Sequence, residues 1–391
     1  MTLSTFFASF KRKTLHSHYM AEIDGIRFLA IVLVILFHIY GYYNQKMGIA
    51  NPQNGQPIYA RWLLQLFENG DRGVYLFFVL SGFMVSLPFA KHYISGENKV
   101  HLKQYYKRRF IRIEPPYLIA VSGIFLVQLA THVLDGRYAI VEQWQHYFAS
   151  LGYMHGFLYP RIPPMVSVVL WSLEVEIQFY LIAPFLFQVF RLSAYYRRLL
   201  IILLMFFFIA VQYATNHHWH GILRLSLQYN WQYFLAGMLL ADFYTTRNPV
   251  DRPYPTWATV VEFIALLLLT CYTPLKPLYY GRILLSIAYP LVIAGLYYLI
   301  LTQSCIKEIF SYRIITTIGG MCYSLYLLHY TLIAVVGQYT LALPFNRFYW
   351  VGLGVEIVLL GGVILVVCGI YYKAVEQVFM KLSAGANHRS E

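Results

Sequence analysis

Arg27 and His38 stand eleven residues apart in the first long apolar run of the chain, EIDGIRFLAIVLVILFHIY. A helix turns about 100° per residue, so the two side chains fall within roughly 20° of each other, about 16 Å apart along the axis. One helix face therefore carries a guanidinium at its mouth and an imidazole near its middle. An ionisable group at membrane depth faces protein or a wet cavity and marks a functional site by default. The bland alternative for His38 is a core histidine donating to the carbonyl of a neighbouring helix.

Two further groups bear on chemistry. RRFIR places Arg108, Arg109 and Arg112 at i, i+3 and i+4 spacings, so three guanidiniums form one patch at the membrane surface. Such forks suit phosphate, and the competing reading is an anchor for lipid head groups. WSLEVEIQFYLIAP carries Glu174 and Glu176 in an otherwise apolar helix, each costly there unless paired, protonated or catalytic. At i and i+2 they point about 200° apart, so both cannot face one pocket, and spacing alone does not choose between them. The Ser81-Gly82 pair in GVYLFFVLSGFMVSLPFA permits a close helix approach, and MCYSLYLLHY buries a second histidine, His329. Packing and a satisfied core histidine are the plainer readings of these two.

His217, His218 and His220 cluster in an outer loop, but their spacing suits no common helical metal site and no acidic or cysteine ligand lies nearby, so no metal is expected. GxSxG, HExxH, Walker A and complete GxGxxG patterns are missing, which leaves serine-hydrolase, metalloprotease and nucleotide-hydrolysis chemistries without a signal.

The elements that must hold these groups follow from composition. The chain has 391 residues, 59% hydrophobic and 12% charged, with a mean hydropathy of +0.54, too little polar surface for a soluble globule. Apolar stretches near bilayer length recur at residues 26–44, 73–90, 115–134, 165–188, 199–215, 226–243, 257–275, 281–302, 316–337 and 349–371. The expected fold is all-α and polytopic, with about ten transmembrane helices. The net charge of +13 reports topology rather than nucleic acid: with the N-terminus inside, 20 of the 30 Lys and Arg residues fall on the inner side and 9 on the outer, Arg27 lying at the boundary. Both termini are then cytoplasmic, as residues 1–20 and 374–391. No cleavable signal, internal repeat, disulfide framework or soluble extracytoplasmic domain is expected, and residues 1–391 read as one domain in a multipass membrane protein, expected in a bacterial inner membrane.

Taken in order, DGIR followed by His38, GVYLFFVLSGF, RRFIR, WSLEVEIQFY and YSLYLLH resemble the acyltransferase-3 family of multipass membrane O-acyltransferases across most of the chain. That resemblance implies acyl transfer from a coenzyme A thioester, mostly onto extracytoplasmic sugars. It places Arg27 and His38 in an essential pair, Arg108, Arg109 and Arg112 near the coenzyme A phosphates, and Glu176 at the family glutamate. Asp24, Ser81, Trp171, Glu174 and His329 become substrate-contacting or supporting positions. The chain departs from the family pattern at Tyr75, where Asp is common, and at Glu174 and Ile177, where Ser and Glu are common.

The implied mechanism has acetyl coenzyme A held by the arginine patch, with its thioester arm reaching towards His38. His38 acts as general base on an acceptor hydroxyl, or as a transient nucleophile. Arg27 serves the phosphates or the developing oxyanion, and Glu176 orients or polarises the histidine. The expected acceptor is a lipid-linked or polymeric sugar of the cell envelope, and membrane lipids are the other partner. Rival readings are a transporter or flippase, since buried Arg, His and Glu also mark proton relays, and an acyltransferase acting on a small molecule, a lipid or a protein.

Overall fold

The computed structural model describes residues 19–131, 139–160, 162–216, 226–246, 256–272, 279–343 and 348–385. The histidine cluster at 217, 218 and 220, residues 1–18, and the tail beyond 385 lie outside the described residues. The helices are α1 (Ala21–Lys46), α2 (Ile58–Glu68), α3 (Gly73–Ser95), α4 (Leu102–Ala130), α5 (Ile140–Leu151), α6 (His155–Leu158), α7 (Leu170–Leu186), α8 (Ala194–Asn216), α9 (Leu227–Thr246), α10 (Thr256–Tyr272), α11 (Tyr279–Thr302), α12 (Ser304–Phe310), α13 (Arg313–Gly320), α14 (Cys322–Thr340), α15 (Tyr349–Tyr371) and α16 (Gln377–Gly385). No strand occurs among the described residues, and all four cysteines are free.

Seven helices are long and apolar enough to cross a membrane, or eight when the bent pair α13 and α14 counts as one span. The protein is an all-α, multipass integral membrane protein. Helices occupy all ten stretches expected from hydropathy, yet two fall short of a span. Helix α9 carries Gln228, Asn230, Gln232 and Asp242, and α10 has only 17 residues.

The chain packs as two compact units, one of Met1–Gly73, Lys107–Val127 and Phe310–Glu391, the other of Val74–Tyr106 and Gln128–Ile309. In the first, α1 packs on α13, α14 and α15. Its lower half lies unusually close to its neighbours, because a Cβ on Gly25 would run into the Phe310 carbonyl and one on Gly319 into the Asp24 carbonyl. The expected single helix over 316–337 is instead broken by 69° after Gly320. Two adjacent glycines weaken the helix there, and Glu376 satisfies the new helix start by accepting the Ser324 amide (3.0 Å) and hydroxyl (2.5 Å). A carboxylate at a helix N-terminus also gains from the peptide dipoles.

In the second unit α9 is the central helix, buried on every side from Tyr229 to Asp242. A Cβ on Gly82 would meet the Phe234 carbonyl, so the Ser81-Gly82 pair does bring α3 against α9. Asp242, fully buried, is matched by two cations: Arg198 Nε lies 2.5 Å from Oδ2, and Arg197 donates to Oδ1. A buried carboxylate is tolerated only when paired in this way.

Candidate active site

His38 sits on α1, half-buried, with the edges of Phe37, His329 and Tyr330 against it at ring-centroid distances of 5.0, 5.1 and 5.3 Å. Its Nδ1 lies 2.8 Å from the carbonyl oxygen of Val34 on its own helix and 3.3 Å from Nε2 of His329. The two histidines singled out by sequence thus form one pair. His329 is fully buried on α14, its Nδ1 lying 2.9 and 3.0 Å from the Leu325 and Tyr326 carbonyl oxygens. The bend at Met321 and the Glu376 cap aim α14, and with it His329, at α1.

At the other end of α1, Arg27 Nη1 is 2.5 Å from Asp24 Oδ1, while Tyr19 donates to Oδ2 at 2.8 Å. Asp24 is buried and Arg27 keeps 18% of its side chain exposed, so the aspartate fixes a guanidinium that still reaches the surface. A rise of about 16 Å along α1 separates Arg27 from His38, beyond the reach of an arginine side chain.

Arg108, Arg109 and Arg112 lie on α4, which starts at Leu102 and continues through Pro115 and Pro116, rather than on a connection leading to those prolines. Prolines remove two amide donors from the ladder. Hydroxyls from the same unit bind carbonyls along this helix: Tyr323 donates to Ile113 (2.9 Å), Tyr371 to Pro116 (2.5 Å), and Ser383 to Arg108 (3.1 Å). The basic patch is therefore fastened to the unit that holds Arg27, His38 and His329. Arg108 is exposed, and Arg109 and Arg112 are half-buried.

The other unit holds Glu174, Glu176, Ser81 and Trp171, and it separates the two carboxylates. Glu174 is buried and accepts the Gly156 amide at 3.0 and 3.2 Å and the Gln178 amide at 3.3 Å. Its oxygens are committed to holding the short helix α6. Glu176 is half-buried and accepts the hydroxyls of Ser81 and Tyr180. Trp171 meets Phe78 edge-on at 6.1 Å. Tyr75, the departure from the family aspartate, stacks on Tyr233 at 4.4 Å and has become part of an aromatic core.

Sequence reading missed Tyr180, although its i+4 spacing from Glu176 was visible, and Glu376, whose partner Ser324 is 52 residues away. It also missed His146 and His155, both buried, with Nδ1 of the first 2.9 Å from Nε2 of the second. Burial and the neighbouring His146 lower His155 to about 4.

A multipass helical membrane protein with an arginine and a histidine on one face of its first helix, and a guanidinium patch in the same unit, is the class defined so far. The acyltransferase-3 family model, described as an acyltransferase domain, matches residues 20–373, and the chain belongs to that family. Among curated relatives, the peptidoglycan O-acetyltransferase OatA of Listeria monocytogenes is 30% identical over 46% of this chain and 26% of the relative. The O-acetyltransferase OatA of Staphylococcus aureus strain NCTC 8325 is 28% identical over 45% and 26%. A protein of S. aureus strain MSSA476, named provisionally as an O-acetyltransferase, is 25% identical over 82% and 52%. The matches span about a quarter to a half of these relatives' length. No solved structure matches the chain significantly.

Proposed function

We propose that this protein is a membrane O-acyltransferase that moves an acetyl or other short acyl group from acyl coenzyme A to a hydroxyl of a cell-envelope sugar. The observation that carries this reading is the shared face of α1, with His38 at mid-helix and an Asp24-fixed Arg27 at its mouth, in a chain belonging to an acyltransferase family. The names of the relatives support an acetyl group and a glycan acceptor, peptidoglycan in the Listeria protein. We take both units as one acyltransferase domain, since the family match runs through both, and place the N-terminus and the Arg108 patch in the cytoplasm, where coenzyme A is found.

In this reading Arg108, Arg109 and Arg112 bind the donor's phosphates as guanidinium forks. Arg27 serves the donor's charged head rather than the oxyanion, because about 16 Å of helix separates it from His38. His38 takes the acceptor's hydroxyl proton as the oxygen attacks the thioester carbon, or carries the acyl group itself. Glu176, held by Ser81 and Tyr180, is the carboxylate free to serve the reaction, and Glu174 has a structural role.

The test is thiol release from acetyl coenzyme A by membranes containing the wild-type protein or His38→Ala at matched expression. Release dependent on His38 supports acyl transfer. Transport of a glycan with no thiol release, in either protein, would favour the flippase reading instead.

A further inference from the structure

The hydrogen bonds around the two histidines determine which nitrogen of His38 is left to do chemistry. Carbonyl oxygens only accept, so a ring nitrogen within bonding distance of one must carry the proton. His329 Nδ1 faces the Leu325 and Tyr326 carbonyls at 2.9 and 3.0 Å, so it is the protonated nitrogen, and neutral His329 has a bare lone pair at Nε2. That Nε2 stands 3.3 Å from His38 Nδ1, which also faces the Val34 carbonyl at 2.8 Å. His38 Nδ1–H is therefore shared between two acceptors, and its own bare nitrogen is Nε2.

We propose that His329 is a positioning residue that, with the Val34 carbonyl, holds His38 as the Nδ1–H tautomer and makes Nε2 the nitrogen that meets the substrate. The proposal rests on the reading of His38 as the transfer centre. In the transfer step the acceptor's hydroxyl proton passes to Nε2 as its oxygen bonds to the thioester carbon. Breakage of the C–S bond then releases the thiolate, which takes the proton back from Nε2. Throughout, Nδ1–H stays on the Val34 oxygen and His329 Nε2, and its bond to His329 strengthens while the ring is cationic, as hydrogen bonds from charged donors do. A histidine oriented by a third group follows the logic of catalytic triads, here with an imidazole in the orienting place.

Two measurements on the full chain in lipid nanodiscs test this. The first is ring-15N histidine NMR at a pH where histidines are neutral, with His38→Ala used to identify the His38 signals. Protonated Nδ1 and bare Nε2 at His38 are expected, and protonated Nε2 would overturn the proposal. The second is acetyl-coenzyme-A-dependent thiol release by His329→Phe, which keeps the volume and loses the acceptor, and His329→Gln, which restores an acceptor oxygen. The expected result is a kcat at least about tenfold lower for His329→Phe with KM for acetyl coenzyme A unchanged, and recovery of most of that loss in His329→Gln. Equal rates in the two variants, fast or slow, would reduce His329 to a packing residue. Full activity of His38→Ala would instead sink the transfer-centre reading, and the NMR result would still report the tautomer.

Discussion

Two carboxylates two residues apart on α7 have different partners, one a backbone amide and the other two hydroxyls. Glu174 accepts backbone amide donation from Gly156, so Glu174→Ala should cost about 1.5–3 kcal/mol, the range for hydrogen bonds to a charged group, read as a lower melting temperature of the purified protein. Among the described residues Glu176 accepts hydroxyls from Ser81 and Tyr180, and Glu176→Gln keeps its shape and an acceptor oxygen. That variant should melt with the wild type and lose acetyl transfer by about tenfold or more. Equal activity of Glu176→Gln and wild type would remove Glu176 from the reaction. The spacing of Glu174 and Glu176 in the sequence shows that they diverge. Which one is spent on structure depends on an amide 18 residues upstream, in the four-residue helix α6, too short for any helical periodicity to announce. By contrast, Arg27, His38 and their common face were legible from spacing alone, because a regular helix carries both.

Helices meet at glycines here, and the closeness of those contacts is testable. A Cβ on Gly319 would press on the Asp24 backbone, which cannot rotate away as a side chain can. Gly319→Ala should therefore destabilise by about 1–3 kcal/mol, the usual cost of overpacking, and disturb the Asp24–Arg27 pair; an unchanged melting temperature would contradict the close approach. The short helices α5 and α6 make a second prediction. His155 is held at about 4 against 6.5 for an ordinary histidine, by burial and by His146. Between those values the unfolded chain binds more protons than the folded one, so this contribution to stability is complete above pH 6.5 and declines as pH falls towards 4. The melting temperature should fall over that window, and His155→Phe should flatten the slope. At this scale, hydropathy located the long apolar helices but not the short ones; α9 and α10 fall short of a span, and the ninth stretch is broken after Gly320. Hydropathy cannot see that α9 is enclosed by protein, where Asn230 and Gln232 are tolerated, nor that a glycine pair and the Glu376 carboxylate, from the segment between α15 and α16, mark the break at Met321.

Across the whole chain, membrane character followed from composition and the all-α architecture from continuous apolar runs of bilayer length, which satisfy their backbone in lipid as helices, where a barrel would show short alternating segments. The division into two units did not, since each unit is assembled from segments far apart in sequence. Arg27, His38, His329 and the Arg108 patch gather in one unit, and the two glutamates with Ser81 in the other. The account stands on His38 as the transfer centre of an acyl-coenzyme-A-dependent enzyme. The most direct test is incorporation of labelled acetyl from acetyl coenzyme A into the glycan fraction of membranes carrying the wild type, His38→Ala or Arg108→Ala at matched expression. Label in the wild type, none in His38→Ala and weakened donor dependence in Arg108→Ala is the predicted result. Equal labelling in all three would contradict it.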